Sequence, residues 1–223
     1  MCIRDSYTVT PIYYQHICYG YCVSDGSLFA LKSELSYLWT VNIGMALENI
    51  RKWQWINRMN EKINRMWKYD MLTQVLNRSG FFYCAETILQ KIKEEKSNAF
   101  IIFLDIDGLK SVNDNLGHEI GDAFIAKIAG ILKEVVPKDC LIMRYGGDEF
   151  VVFGSCKQAG RMQRIAEDIK AAIKTADQKE NRSYHLAASL GCSLHKSYEM
   201  DNLNSLIELA DKKMYEEKKN KRR

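Results

Sequence analysis

The residues best suited to chemistry in this 223-residue chain are two glycines followed by two acids, at positions 146–149. Apolar segments of strand length, 141–143 and 150–153, flank them, which predicts a β-hairpin with Asp148 and Glu149 at its tip. We expect the glycine pair to supply positive φ angles and to let a ligand approach the backbone. Such a tip suits a metal-phosphate site, although an isolated turn of this kind is more often simply solvated.

A second pair of acids, Asp105 and Asp107, ends the apolar segment 100–104. Successive strand residues point to opposite faces, so both carboxylates should lie on the same side. If this strand lies beside the hairpin, Asp105 can approach Asp148. Two carboxylates with a backbone carbonyl suit Mg²⁺, and the absence of His and Cys from the cluster argues against zinc.

Groups able to bind a nucleotide follow that strand directly. Gly108, Leu109 and Lys110 offer backbone amides and an ammonium group that can hold phosphates where a short turn opens. Asn113 and Asp122 offer an amide and a carboxylate for a base, and a carboxylate can accept from the N1 and N2 donors of guanine, a pair that adenine lacks. Each group alone is also ordinary turn chemistry. Together they outline a nucleotide pocket.

Alternating helices and strands must position these groups. Helices are predicted at 79–96, 119–136, 157–176 and from Leu203, and strands at 99–105, 185–194 and on both sides of the hairpin turn. Their β-α-β-β-α-β core predicts an α+β, ferredoxin-like antiparallel sheet with helices on one face.

The region before Asp70 has a different pattern. Residues 12–23 predict one or two strands, ending in a turn cluster at 24–27, and 28–68 predict a long helix or a pair of helices. Seven helix residues recur at spacings of three and four, which is typical of a coiled-coil seam with two register-setting asparagines. The seam residues are Ala46, Asn49, Trp53, Ile56, Asn60, Ile63 and Trp67. A helix that packs on its own domain is the alternative.

We therefore divide the chain into four parts. Residues 1–6 look like the translation of a transposon sequencing adaptor joined to a longer gene, which would place further natural sequence upstream. We interpret 7–27 as the remnant of a sensory domain, 28–69 as a signalling coiled-coil helix and 70–223 as the domain that carries the acids.

Composition narrows the class of protein. The net charge of +4 is small, and the excess of basic residues lies in the tail 218–223. The charge therefore gives no reason to expect nucleic-acid binding. The apolar segment 99–104 is too short to cross a bilayer, and seven scattered cysteines fit a reducing compartment, so we expect a soluble, cytoplasmic fragment. A metal site at His16, Cys18 and Cys22 is a minor alternative.

Residues 70–223 resemble a GGDEF domain, of the diguanylate cyclase family. The matching motifs are Asp70-Met71-Leu72-Thr73 with Asn77-Arg78, Asp105-Ile106-Asp107 with Lys110, Asn113-Asp114, Gly117-His118, Gly121-Asp122, the segment 146–150, Ala210-Asp211, Met214-Tyr215, Lys218 and Arg222. Gln74 stands where Gly is common, and Pro137 and Cys140 replace the ends of the inhibitory R-x-x-D motif of many members, so product inhibition through that motif is not expected.

The resemblance implies condensation of two GTP molecules into cyclic di-GMP with loss of two pyrophosphates, on the nucleotidyl cyclase palm. Asp105, the Ile106 carbonyl and Asp148 would bind Mg²⁺ or Mn²⁺, with Glu149 supporting the metal shell. Asp148 would accept the proton of the 3′-hydroxyl, and Lys110 counts with Asp148 and Glu149 among the catalytic residues. Asn113 and Asp122 would recognise guanine, and the backbone of Gly108 and Leu109 with Lys110, Lys218 and Arg222 would hold the phosphates.

Each domain would bind one GTP, so two domains must meet, and the N-terminal helix would form the homodimer. Two alternatives remain. One is a catalytically silent GGDEF domain that binds GTP or cyclic di-GMP and signals by contact. The other is an enzyme that makes an adenine-containing cyclic dinucleotide, against which Asp122 argues.

Overall fold

The structure is a computed structural model that describes residues 7–25, 33–179, 184–196 and 203–221. The chain forms two compact units, Met1–Asn64 and Arg65–Arg223. The predicted adaptor segment 1–6 and the predicted phosphate ligand Arg222 lie outside the described residues.

The first unit contains a hairpin and most of a long helix. Strands β1 (Tyr7–Tyr14) and β2 (Ile17–Asp25) pair antiparallel, and helix α1 spans Ser33–Lys68. The sequence predicted one or two strands and one or two helices here, and the structure has two strands and one continuous helix over its described part. The long N-terminal helix is therefore confirmed.

One face of α1 packs on the hairpin. Thr40, Gly44 and Glu48 are buried along it, one turn apart, and the hydroxyl of Tyr19 in β2 donates to the Glu48 carboxylate. The predicted seam lies on the opposite side, since Trp53 follows Gly44 by nine residues, or about two and a half turns. The seam is exposed within this chain.

The second unit is built on a four-stranded antiparallel sheet. Its elements, in chain order, are α2 (Arg78–Glu94), β3 (Asn98–Ile106), α3 (Leu109–Leu116), α4 (His118–Val135), β4 (Leu141–Arg144), β5 (Glu149–Cys156), α5 (Arg161–Lys179), β6 (Ala188–His195) and α6 (Leu203–Lys221). The strand order is β4-β5-β3-β6. This is the predicted ferredoxin-like arrangement, with β3 and β5 as the inner strands.

Helices cover both faces of this sheet, so the predicted placement on one face is wrong. Phe100, Ile102 and Leu104 of β3 pack in one core with residues of α3, α4 and α5. Ile101 and Phe103 pack in a second core with residues of α2 and α6. The cause is visible in β3, which is apolar at every position from 99 to 104, because a strand buried on both faces has no polar side.

Several local expectations also change. A short turn was expected to open at Gly108, Leu109 and Lys110, and residues 109–116 instead form a helix of eight residues, α3. Helix α5 begins at Arg161 and not at Lys157. Helix α4 begins at His118, and Ile120 on its first turn is 38% exposed.

One side chain, Asn77, ends α1 and begins α2. Its Nδ2 donates to the carbonyls of Trp67 and Tyr69, at 2.8 and 3.3 Å, and its Oδ1 accepts from the backbone N–H of Gly80 at 2.9 Å. These bonds satisfy carbonyls at the C-terminus of one helix and an amide at the N-terminus of the next.

Within the described ranges, no helix has both the length and the apolar character that crossing a membrane requires. The six described cysteines are free thiols.

Candidate active site

The predicted acids meet at one end of the two inner strands. Asp105, near the end of β3, is paired with Glu149, the first residue of β5. The backbone N–H of Ile106 donates to the carbonyl of Asp148 at 3.0 Å, which ties the hairpin turn to the end of β3. Two sequence segments more than forty residues apart thus place their carboxylates at one edge of the sheet.

The turn between β4 and β5 is closed differently from the prediction. The backbone N–H of Tyr145 donates to the carbonyl of Glu149 at 2.8 Å. Neither Gly146 nor Gly147 has a positive φ, so the prediction of positive φ angles at this turn is wrong. Gly146 instead leaves room for the Glu149 carboxylate, since a Cβ there would lie 2.5 Å from Glu149 Oε2 and would displace that side chain.

Arg144 stabilises this turn through hydrogen bonds to Gly147 and Asp70. Its Nη2 donates to the carbonyl of Gly147 at 2.7 Å, and its Nη1 donates to the Asp70 carboxylate at 3.1 Å. Asp70 also accepts from the hydroxyl and N–H of Thr73, at 2.6 and 2.9 Å. Burial alone would raise the pKa of Asp70, but the hydrogen bonds from Thr73 and Arg144 lower it overall, so this carboxylate stays charged.

Burial and mutual repulsion act on the acids at the tip. The pKa of Asp105 is raised, first by burial and further by the nearby charges of Asp148 and Asp107. The pKa of Glu149 is raised by burial, then by Asp148, Asp105 and Asp211. Acids that repel one another in a partly buried site favour an added cation.

Lys218 of α6 supplies one positive charge at this edge. Its ammonium group donates a hydrogen bond to Asp105 Oδ1 and lowers the pKa of that acid, against the larger effect of burial. The resemblance implied a phosphate contact for Lys218. In the structure it contacts a carboxylate that was predicted to bind metal.

Asp107 is hydrogen-bonded to Ser189 and to the backbone of Ala187. The hydroxyl of Ser189 in β6 donates to both of its carboxylate oxygens, at 2.8 and 3.1 Å. Its backbone N–H donates to the carbonyl of Ala187 at 2.9 Å. Asp107 therefore anchors the chain as it leaves β3.

The predicted phosphate-binding groups surround the start of α3. Gly108 precedes the helix with a φ of 78°, and the first helical bond at this end is donated by the N–H of Val112 to the Gly108 carbonyl at 3.1 Å. The amides of Leu109 and Lys110 therefore have no acceptor within the helix. The Leu109 side chain is buried in the core, so only its backbone can reach a ligand, while Lys110 is exposed.

The predicted base-binding residues lie on neighbouring helices, Asn113 in α3 and Asp122 in α4. Asn113 is half-buried with its side chain against Gly121, where a Cβ would lie 1.8 Å from Asn113 Oδ1. Asp122 follows Gly121 and is exposed. Glycine at position 121 thus lets the Asn113 amide lie close to the backbone of α4.

The arrangement limits what metal could bind. Among the described residues, no group of three or more His, Cys, Asp and Glu side chains is arranged to hold a metal ion. Asp105 and Asp148, with the Ile106 carbonyl, could hold a cation that completes its shell with water or phosphate oxygens. Mg²⁺ commonly binds in this way, whereas structural zinc requires four protein ligands.

Sequence reasoning missed three contacting residues at this site. Arg144 lies two residues before Gly146, and its position at the end of a predicted strand gave no sign of a role at the site. Ser189 has no signal except its place near the start of the last strand. Asp211, which acts on Glu149 through its charge, was noted only as part of the closing helix motif.

Comparison with known proteins finds relatives that match most of this chain. The chain is 26% identical over 224 residues to diguanylate cyclase A of Treponema denticola, covering 99% of this chain and 60% of that protein. It is 32% identical over 168 residues to diguanylate cyclase VdcA of Vibrio cholerae, covering 73% of this chain and 48% of that protein. The chain thus spans about half the length of these curated relatives.

Solved structures share the fold. The coiled coil and GGDEF domain of DgcB from Caulobacter crescentus, determined in complex with c-di-GMP, matches with a TM-score of 0.71 at 23% identity, over 79% of this chain and 94% of that one. The diguanylate cyclase SiaD of Pseudomonas aeruginosa, in complex with its activator SiaC, matches with a TM-score of 0.64 at 19% identity, over 87% and 74%. The family model described as "Diguanylate cyclase, GGDEF domain" matches residues 67–223, and the chain therefore belongs to the GGDEF domain family.

Proposed function

We propose that this protein is a diguanylate cyclase that condenses two GTP molecules into cyclic di-GMP and two pyrophosphates. The observation that carries the proposal is the meeting of Asp105, Asp148 and Glu149 at one sheet edge, next to Lys218. A silent domain has no need to keep three mutually repelling, partly buried carboxylates together.

The chemistry requires a 3′-hydroxyl of one GTP to attack the α-phosphorus of the other. A new P–O bond forms, the bond to pyrophosphate breaks, and the hydroxyl proton passes to Asp148. Asp148 lies on the hairpin turn, held by the Ile106 N–H and by the Arg144 contact to Gly147, so its position is fixed before substrate binds.

Asp105, the Ile106 carbonyl and Asp148 would hold Mg²⁺, or Mn²⁺, with Glu149 in support. When bound, the ion polarises the α-phosphate and lowers the pKa of the 3′-hydroxyl. Burial raises the pKa values of Asp105 and Glu149, and repulsion from neighbouring acids raises them further. A bound cation would offset the repulsive part, which supports this assignment.

Substrate binding would use the groups around α3. The amides of Gly108 and Leu109 with Lys110 would hold phosphates, joined by Lys218 and Arg222 from the closing helix. Asp122 would accept hydrogen bonds from the N1 and N2 donors of guanine, and the Asn113 amide would bind acceptors on the same base.

One experiment tests the reaction. Purified protein is incubated with Mg²⁺ and GTP, ATP or both, and products are identified by mass spectrometry. We expect cyclic di-GMP from GTP and no product that contains adenine. Bound GTP without product would identify a silent binding domain, and a mixed cyclic dinucleotide would refute the guanine assignment.

The reaction also requires two domains to meet, and we propose that the α1 seam forms a parallel homodimer. Trp53 and Ile63 on the seam are 66% and 59% exposed in the single chain, which supports a further partner for this face. A dimer raises the effective concentration of one site near the other.

Sedimentation and dilution test the dimer. Ile56→Lys on the seam should raise the dimer dissociation constant about tenfold or more and lower turnover at low protein concentration, with recovery at high concentration. Gln54→Lys, exposed on another side of the same helix, is the matched control. Equal behaviour of the two variants would mean that the seam is not the dimer contact.

A further inference from the structure

Lys218 has two partners that it cannot serve at once. In the proposed function it holds phosphate, yet in the structure its ammonium group contacts Asp105 Oδ1. Both side chains are largely buried, with 21% of Lys218 and 11% of Asp105 exposed. The contact is therefore a partly desolvated ion pair and not a mobile surface pair.

The fold directs Lys218 to this place. It follows Met214, which is buried in the core between α6 and the sheet, by four residues, so it lies on the sheet side of the helix. Asp105 follows Phe103 by two residues in β3, so its side chain emerges on the face that α6 covers.

A metal and the ammonium group would compete for Asp105. The ion carries two positive charges and would take the same carboxylate that Lys218 now contacts, and like charges at a few ångströms repel strongly in a partly buried site. The long, flexible lysine side chain allows the ammonium to move without moving α6.

We propose that Lys218 fills the cation position at Asp105 while no metal is bound, and that metal binding releases it to the triphosphate. This inference rests on the proposed function and explains how one lysine serves two sites in sequence. Since coupling between two ligands is reciprocal, GTP phosphates that draw Lys218 away also open Asp105 to metal. Metal and GTP then bind cooperatively through one side chain.

The first test measures metal alone. Lys218→Met should bind Mn²⁺ about tenfold more tightly than the unaltered protein in the absence of nucleotide, by electron paramagnetic resonance of free Mn²⁺, because the competing charge is gone. Lys212→Met, exposed on the same helix, is the control and should bind as the unaltered protein does. The gain should vanish in the Asp105→Asn/Lys218→Met double variant. Unchanged or weaker binding by Lys218→Met would overturn the proposal.

The second test measures coupling. The dissociation constant of the α,β-methylene analogue of GTP is measured without Mg²⁺ and with Mg²⁺. The first constant divided by the second gives a ratio that is compared between proteins. Lys218→Met should lower this ratio about tenfold, because the lysine no longer links the two ligands. An equal ratio in the variant and the unaltered protein would contradict the release of Lys218 by metal.

These outcomes separate the inference from the proposed function. Tighter Mn²⁺ binding by Lys218→Met, with no cyclic di-GMP synthesis by the unaltered protein, would support the release of Lys218 by metal and contradict the proposed function. Cyclic di-GMP synthesis, with the same Mn²⁺ affinity in both proteins, would support the proposed function and contradict the release of Lys218. Circular dichroism verifies that Lys218→Met folds. If that variant does not fold, Lys218→Gln replaces it, because glutamine retains a hydrogen-bond donor without the charge and should also bind Mn²⁺ more tightly.

Discussion

The two units distribute polar and apolar side chains in opposite ways. In the unit Met1–Asn64, polar Thr40 and charged Glu48 are buried, while many large apolar residues are exposed. Those exposed by more than half of their surface include Tyr7, Val9, Tyr21, Val23, Trp39, Trp53 and Trp55. In Arg65–Arg223, by contrast, apolar cores fill both sides of the sheet and the interacting acids are gathered at one edge.

The difference indicates what each unit depends on. The second unit, Arg65–Arg223, buries most of its phenylalanines within itself, so it has the features of an independently stable fold. The first unit, Met1–Asn64, exposes many large apolar side chains, and extended apolar surface is typical of sites that contact another protein. Stability should therefore come from the second unit and association from the first.

The largest effect should come from breaking the second unit's core. Phe153→Ala removes a fully buried ring and should lower the free energy of unfolding by about 3–5 kcal/mol, measured by urea denaturation. Tyr21→Ala in the first unit, where the ring is 67% exposed, should change it by less than about 0.5 kcal/mol. A comparable loss for both would show that the first unit's surface is already covered.

Asp148→Asn sharpens the comparison by separating activity from stability. Turnover should fall at least roughly a hundredfold, because proton acceptance and metal binding both depend on this carboxylate. The urea midpoint should stay unchanged, since the side chain lies on a half-buried turn. Asp168→Asn, exposed on α5, is the control for removing an acid, and near-normal turnover of Asp148→Asn would mean that the role assigned here is wrong.

Acid should loosen the first unit through Glu48. Hydrogen bonds from Arg51 and then Tyr19 lower the pKa of Glu48 to about 2, well below its ordinary value near 4.5. A lowered folded pKa gives stability that is complete above the unfolded pKa and is lost as pH falls from 4.5 through about 2.

Tryptophan fluorescence can follow this loss, because all four tryptophans lie on α1. Glu48→Gln should remove much of the fluorescence change over that pH range, and Glu61→Gln, exposed on the same helix, should leave it intact. The same acid transition in Glu48→Gln and the unaltered protein would exclude Glu48 as its origin.

The smallest effect compares one strained residue in each unit. Gln15 and Gln74 have φ angles of 50° and 54°, in the left-handed region that favours glycine. Gln74→Gly should stabilise the second unit by about 0.5–1 kcal/mol in denaturation, and Gln15→Gly should leave that transition unchanged. Destabilisation by Gln74→Gly would show that its side-chain hydrogen bond to the Met71 carbonyl outweighs the strain.

Much of the fold follows from sequence because its signals are local. The β3 strand, the hairpin and the buried stripe of α6 each follow from a short periodic pattern, and their order alone gives the ferredoxin-like sheet. The helices on the second face of the sheet cannot be predicted from helix patterns alone. The signal for them is in β3, which has no polar face.

The candidate site was predictable in its members and less so in its contacts. Asp105 and Asp148 could be placed together because neighbouring strands align them. The contact of Lys218 with Asp105 joins residues 113 positions apart, and the Ser189 contact with Asp107 joins residues 82 apart. Such pairings depend on how α6 and β6 pack, which no local pattern encodes.

The cap formed by Asn77 has a mechanical consequence. The oxygen and nitrogen of an amide are held in one rigid plane, and here the nitrogen is bound to the end of α1 while the oxygen is bound to the start of α2. A twist of the last turn of α1 that kept both hydrogen bonds would have to rotate the Asn77 side chain about its own single bonds or shift the first residues of α2. Asn77 therefore ties the position of the first turn of α2 to that of the last turn of α1.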